Sequence, residues 1–172
     1  MKKAVFGVLG ILLAAGLARA EGPAQAKAVL VNSAGEEVGT ARLEEADGGV
    51  RIALEVSHLS PGMHAFHIHA VGRCEPPDFA SAGGHFNPAG KKHGLDNPEG
   101  HHAGDLPNIE VGADGTGKAE TVAVGMTLSP GDHSLFHPGG TSLVVHADPD
   151  DNRTDPAGNS GARIACGVIQ PL

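Results

Sequence analysis

The chain has 172 residues, 40% hydrophobic but only 3% aromatic, with neither Trp nor Tyr and a formal charge of −8. That length suits one domain behind a short leader, with a core built on Val, Ile, Leu, Ala and a few Phe. The acidic balance argues against nucleic acid as a partner.

The chain opens with Lys2 and Lys3, followed by an apolar stretch over residues 4–17 and the small-x-small pattern Ala18-Arg19-Ala20. This is the layout of a secretory leader. Residues 1–20 therefore read as a signal peptide and 21–172 as the mature domain, with Glu21 at its start. An uncleaved anchor is the alternative, but the apolar run is short for a span of about 20 residues. No cysteine follows it for lipid attachment. The expectation is an exported protein, periplasmic or extracellular, free of the membrane after cleavage. Losing Lys2, Lys3 and Arg19 takes the formal charge from −8 to −11.

Beyond residue 20 helical periodicity is absent. Short alternating or β-branched runs recur at 27–31, 38–43, 50–56 and 119–124, separated by turn signals at 33–35, 46–49 and 113–115. Strands at this spacing, with Gly/Asp turns between them, predict an all-β fold: an antiparallel sandwich or flattened barrel. Two stretches lack a strand pattern, residues 70–105 and residues 147–162. Loops longer than about 15 residues inside a compact domain are usually functional or disordered.

The histidines carry the chemistry. His67 and His69 are two apart in His64-Ala65-Phe66-His67-Ile68-His69, which on a strand puts both rings on one face. His85 lies in Gly84-His85-Phe86-Asn87-Pro88, followed by His93, and then by His102 and Asp105 in His102-Ala103-Gly104-Asp105. His146 ends the hydrophobic run Leu143-Val144-Val145-His146. Imidazole suits copper and zinc, and three histidines with one carboxylate form an ordinary zinc set. Four nitrogens plus a zinc set need eight ligands, and seven are present. Either one histidine serves two metals or one site is incomplete. The remaining histidines carry plainer readings: His58, His133 and His137 face solvent or brace turns. His101 adjoins His102, and the Gly-Asp that follows favours His102 as the ligand. Two cysteines in an exported chain point to a disulfide rather than thiol chemistry, with two separately buried thiols as the alternative.

These segments, in this order, resemble the copper/zinc superoxide dismutase family of the bacterial, exported type. The family reads His-Gly-Phe-His-x-His, Gly-x-His-Phe-Asn-Pro, Lys-His-Gly, His-x-Gly-Asp and Val-His, and the likeness runs over roughly residues 26–170. It implies a Greek-key β-sandwich or flattened barrel of about eight strands with two long functional loops. It implies one copper ion on His67, His69, His85 and His146, and one zinc ion on His85, His93, His102 and Asp105, with His85 shared. It further implies that Asp150 links His67 to His93, that Arg163 guides the anion, and that Cys74 and Cys166 form the intrasubunit disulfide. His64 matches a position that hydrogen-bonds within the fold. The activity implied is disproportionation of superoxide to dioxygen and hydrogen peroxide by Cu(II)/Cu(I) cycling, with His85 detaching and taking a proton. Arg163 and His85 would be its catalytic residues.

Three departures stand out. Ala65 replaces the family's usual glycine. The stretch 74–85 resembles bacterial rather than animal members, so the subunit arrangement, monomer or homodimer, does not transfer. The loop 147–162 is short, with Arg153 its only basic residue, so Arg163, Lys92 and the metals must supply the local positive field. The competing function is an exported protein that stores or delivers copper and zinc without turnover; an intact ligand set and Arg163 count against it.

Overall fold

The computed structural model describes residues 22–172; the expected signal peptide lies outside the described residues. Among the described residues ten strands form one antiparallel sheet: β1 (Gln25–Asn32), β2 (Glu37–Ala46), β3 (Gly49–Val56), β4 (Gly62–His64), β5 (Phe66–His69), β6 (Ile109–Val111), β7 (Gly117–Val124), β8 (Ser142–His146), β9 (Arg163–Val168) and β10 (Gln170–Pro171). Their order across the sheet is β4-β6-β7-β3-β2-β1-β9-β8-β5, with β10 beside β1. The two end strands, β4 and β5, are consecutive in the chain and separated only by Ala65, so the sheet curls into a nearly closed barrel. Strand β10 likewise continues the path of β9 beyond Ile169. Counting each interrupted path once gives eight segments, in line with the expected barrel of about eight strands.

Strands β1, β2 and β3 follow one another as a meander, whereas β6 and β7 fill the gap that the chain leaves when it passes from β3 to β4. Such skipped positions are the mark of Greek-key topology. The meander follows from the alternation in the sequence: Ala26, Ala28 and Leu30 of β1 face Ala41 and Leu43 of β2 and Val50, Ile52 and Leu54 of β3 inside the barrel. Polar residues such as Arg42, Arg51 and Glu120 point outward. Every carbon taken from water here contributes roughly 25 cal/mol per Å² of apolar area.

Strands β5 and β8 break this alternation, because every residue in both is buried. Phe66, Ile68, Leu143 and Val145 face the core. His67 and His69, paired with Val144 and Ser142, face outward, and His146 follows Val144 on that same face. Outward on this side still means buried, because the two long loops cover it. A small second core of Phe79, Ala82, Val144 and Cys166 forms beneath the first of them, with Cys74 and Val31 against it. That loop contains a single 3-10 turn at Ala80–Ala82. Cys74 and Cys166 are bonded, with Cα atoms 5.6 Å apart, which pins the loop to β9.

Candidate metal centre

The outer face of β5 and β8 presents three imidazoles, and the first loop returns twice to complete the set. At the first return, Phe86 N–H donates to Ile68 O (2.8 Å), which brings His85 beside His69. At the second, Ile68 N–H donates to Gly104 O (2.9 Å) and Gly104 N–H to Phe86 O (2.9 Å). A Cβ on Gly104 would overlap Ile68 O, so the Gly of the His-x-Gly-Asp motif is what allows His102 and Asp105 to lie this close to the strand.

His67, His69, His85 and His146 converge, each offering a nitrogen within 4.8 Å of the others. Their second nitrogens are occupied. His67 Nε2–H donates to Asp150 Oδ2 (2.7 Å), and His69 Nδ1–H donates to Gly83 O (2.9 Å). His146 Nδ1 lies near Ser160 Oγ (3.2 Å), and His85 Nδ1 faces Asp105 Oδ1 (2.8 Å). The nitrogens left over are His67 Nδ1, His69 Nε2, His85 Nε2 and His146 Nε2, and all four are buried with no hydrogen-bond partner. Buried polar atoms rarely go unpaired. Four that share one small space could together hold an imidazole-loving ion such as copper.

The second cluster is His85, His93, His102 and Asp105. Asp105 Oδ2 accepts from the backbone N–H of Gly94 (2.8 Å) and His102 (2.9 Å), which turns Oδ1 toward three imidazoles. From Oδ1 the Nδ1 atoms of His85, His93 and His102 lie at 2.8, 3.0 and 3.3 Å, and His85 and His102 Nδ1 are 3.4 Å apart. Zinc–ligand bonds of about 2.0–2.1 Å in a tetrahedron require donor separations of about 3.3 Å. The cluster fits that ion. His85 thus presents Nδ1 to one set and Nε2 to the other, which accounts for seven residues serving eight ligand positions.

Asp150 lies between the two sets, taking His67 Nε2–H on Oδ2 and His93 Nε2–H on Oδ1 (3.0 Å). Its backbone is clamped by Asn108, whose Oδ1 accepts Asp150 N–H (2.8 Å) and whose Nδ2–H donates to Asp150 O (2.9 Å). His64 bridges His146 O and Ser60 O, at 2.8 Å from each, and so braces β8 from inside the fold. His101 turns away to the backbone carbonyl of His102 (2.7 Å). His137 stacks on Phe86 with ring planes 12° apart.

Electrostatics follow from burial. In the metal-free protein, burial together with neighbouring imidazoles pushes His69 down to about 2 and His146 to about 3. Burial carries His85 to about 4, against the pull of Asp105. These rings are neutral at pH 7 and their free nitrogens are available as ligands. Burial would raise Asp105 and Asp150, but the histidine donors around them win and hold both carboxyls well below the ordinary range. His93 moves the other way: burial opposes its charge, but Asp105 and Asp150 on either side raise it to about 9.

The cleft above His69, His85 and His146 is edged by Asn159, Gly161 and Arg163. Arg163 donates from Nη1 to Phe79 O (2.6 Å) and from Nη2 to Gly83 O (2.7 Å). Every site residue expected from the sequence falls in this one region. Asn108 and Asp155 join the site without any signal in the sequence. Asp155 Oδ1 accepts His93 N–H (2.8 Å) at the edge of the cleft. Neither sits in a distinctive sequence pattern, since each acts through backbone groups brought near only by folding.

The comparisons with known proteins agree. The family model described as copper/zinc superoxide dismutase matches residues 37–169. The chain belongs to that family. "Superoxide dismutase [Cu-Zn] 1" of Aquifex aeolicus is 54% identical over 143 residues, covering 82% of this chain and 85% of that protein. "Superoxide dismutase [Cu-Zn]" of Caulobacter vibrioides is 45% identical over 148 residues, covering 84% and 85%. Among solved structures, a double mutant of a SOD-like protein from Bacillus subtilis superposes with a TM-score of 0.80 at 47% identity, covering 83% of this chain and 95% of that one.

Proposed function

We propose that the protein is an exported superoxide dismutase that holds copper on His67 Nδ1 and the Nε2 atoms of His69, His85 and His146, and zinc on His85, His93, His102 and Asp105. The observation that carries this reading is the set of four buried, unpartnered nitrogens beside a three-histidine, one-carboxylate cluster, joined through His85. Bound copper supplies the one-electron couple by which one superoxide becomes dioxygen and another, with two protons, becomes hydrogen peroxide, while zinc keeps its oxidation state.

The chain's own residues supply the rest. Asp150 fixes the ring orientation of His67 and His93 together, as outer-shell carboxylates do. His85 Nε2 is the atom at which a proton can be held and passed to reduced substrate, with Nδ1 kept on the zinc side by Asp105. Arg163 places a permanent positive fork at the edge of the cleft, matched to a small anion. Loops 70–105 and 147–162 cover the ligand residues, most of which are buried, and leave a cleft beside Arg163. The secretory pattern of residues 1–20 and the Cys74–Cys166 bond support export to a non-cytoplasmic compartment. No helix among the described residues is long and apolar enough to cross a membrane. Subunit arrangement, monomer or homodimer, is decided by sedimentation of the mature protein.

Superoxide decay followed by pulse radiolysis, on mature protein carrying one copper and one zinc, tests the proposal. We expect fast catalytic decay that His146→Ala abolishes, because His146 belongs to the copper set alone. Full metal occupancy with decay no faster than background would overturn the enzyme reading in favour of metal storage or delivery.

A further inference from the structure

We propose that Gly158 is a positioning residue for the metal centre: its bare backbone backs the Asp150 carboxylate and keeps it directed at both His67 and His93. This inference rests on the assignment of Asp150 as the link between the two ligand sets. Gly158 lies in the second loop at φ +63, and a Cβ built there would overlap Asp150 Oδ1 and come within 2.8 Å of His93 Nε2. Oδ1 is the oxygen that accepts from His93, and it also accepts Asn152 N–H at 2.6 Å. The main chain of Gly158 is itself fixed, since its N–H donates to Thr154 O (2.6 Å) and its carbonyl accepts Asp151 N–H (2.9 Å). The Asp150 main chain is equally fixed by Asn108. With both backbones held, no side chain fits at 158 unless the carboxylate moves. The carboxylate is within 1% of complete burial and has no open side to retreat to.

A positive φ alone would explain a glycine here, so the test must separate backbone strain from displacement of the carboxylate. Gly125 provides the reference: it has φ +76 and nothing within 4 Å of a built Cβ. Zinc affinity of the mature protein, measured by competition with a chromophoric chelator, is compared among the parent, Gly158→Ala, Gly125→Ala, Asp150→Ala and the Gly158→Ala/Asp150→Ala double variant. Loss of outer-shell orientation costs about 10–100-fold in metal affinity. The expected result is a loss of that size in Gly158→Ala and in Asp150→Ala, with Gly125→Ala within about threefold of the parent. The double variant should be no weaker than Asp150→Ala alone, because the group that Gly158 positions is gone. With cobalt in place of zinc, the visible spectrum of Gly158→Ala should shift toward that of Asp150→Ala. Losses that multiply in the double variant, or a Gly158→Ala affinity equal to the parent's, would overturn the proposal. A loss in Gly158→Ala with none in Asp150→Ala would instead remove Asp150 from its linking role. Should Gly158→Ala fail to fold, a folded double variant supports the proposal and an unfolded one overturns it.

Discussion

Arg163 is held by two carbonyl oxygens, Phe79 O and Gly83 O, which take up hydrogens from both terminal nitrogens and aim the guanidinium along the edge of the cleft. Its side chain hydrogen-bonds no ligand nitrogen directly, although Gly83 O also accepts His69 Nδ1–H. Arg163→Ala should therefore lower kcat/KM by on the order of tenfold or more, as loss of local steering does, while copper and zinc content by elemental analysis stay unchanged. Arg163→Lys should recover only part of the rate, because an ammonium cannot hold two carbonyls in a fork and still face the anion. His93 makes a different prediction. Its pKa is raised to about 9 by Asp105 and Asp150, so in the metal-free protein it carries a proton at pH 7 that zinc must displace from Nδ1. Zinc affinity should then rise with pH, about tenfold per unit, until the ring deprotonates near pH 9, and zinc uptake at pH 7 should release a proton measurable by pH-stat titration. An affinity that levels off near pH 6.5 would mean the two carboxylates do not act on His93 in this way.

Among the elements, the first loop depends on staples rather than on its own secondary structure, which amounts to one 3-10 turn. The Cys74–Cys166 bond closes a separation of 92 residues and holds the Phe79 and Gly83 carbonyls against Arg163. Cys74→Ser/Cys166→Ser should cost about 2–5 kcal/mol of stability in urea unfolding of the metal-free protein. In the loaded protein it should also lower activity toward the Arg163→Ala level, since the carbonyls that orient the arginine are released. Equal activity with and without the bond would separate it from the cleft. The sequence made some elements much easier to read than others. Strands β1, β2, β3 and β7 were legible because core and solvent faces alternate along them, and the hairpins carry Gly and Asp at their turns. Strand β6 was not, because Ile109–Val111 is too short to show a period and its partner β4 is equally brief. The candidate ligands stand out in the sequence because each lies in a dense local motif, and the fold gathers them into two clusters. Asn108, Asp155 and Gly158 were hidden, since their roles depend on where the second loop crosses the first, and no spacing along the chain records that crossing.

For the whole molecule, the question is how an anion reaches the cleft of a chain of formal charge −8, which becomes −11 if the expected leader with Lys2, Lys3 and Arg19 is removed. Two cations at the second loop, Arg153 within it and Lys92 against it, are each matched by an acid: Lys92 Nζ lies 3.5 Å from Asp155, and an Arg153 terminal nitrogen lies 3.9 Å from Asp96. Such exposed pairs add little stability, but each cancels a charge that could draw substrate, so the expected contribution of Lys92 to the field is largely offset by Asp155. Arg163 and the metals remain as the local attraction, against a diffuse repulsion from the rest of the surface. Salt screens both, and their effects on rate are opposite in sign. Raising ionic strength from about 0.01 M to 1 M shortens the Debye length from about 30 Å to about 3 Å, and kcat/KM should fall by less than about threefold over that range. Asp155→Asn removes a carboxylate from the edge of the cleft while keeping an oxygen that can accept His93 N–H, and it frees Lys92. That variant should react faster at low salt and show a steeper salt dependence, converging on the parent at high salt. A steep dependence in the parent itself would show that positive charge is focused on the cleft from residues other than Arg163. A flat response in Asp155→Asn would mean that Lys92 lies too far from the path of the anion for its pairing to matter.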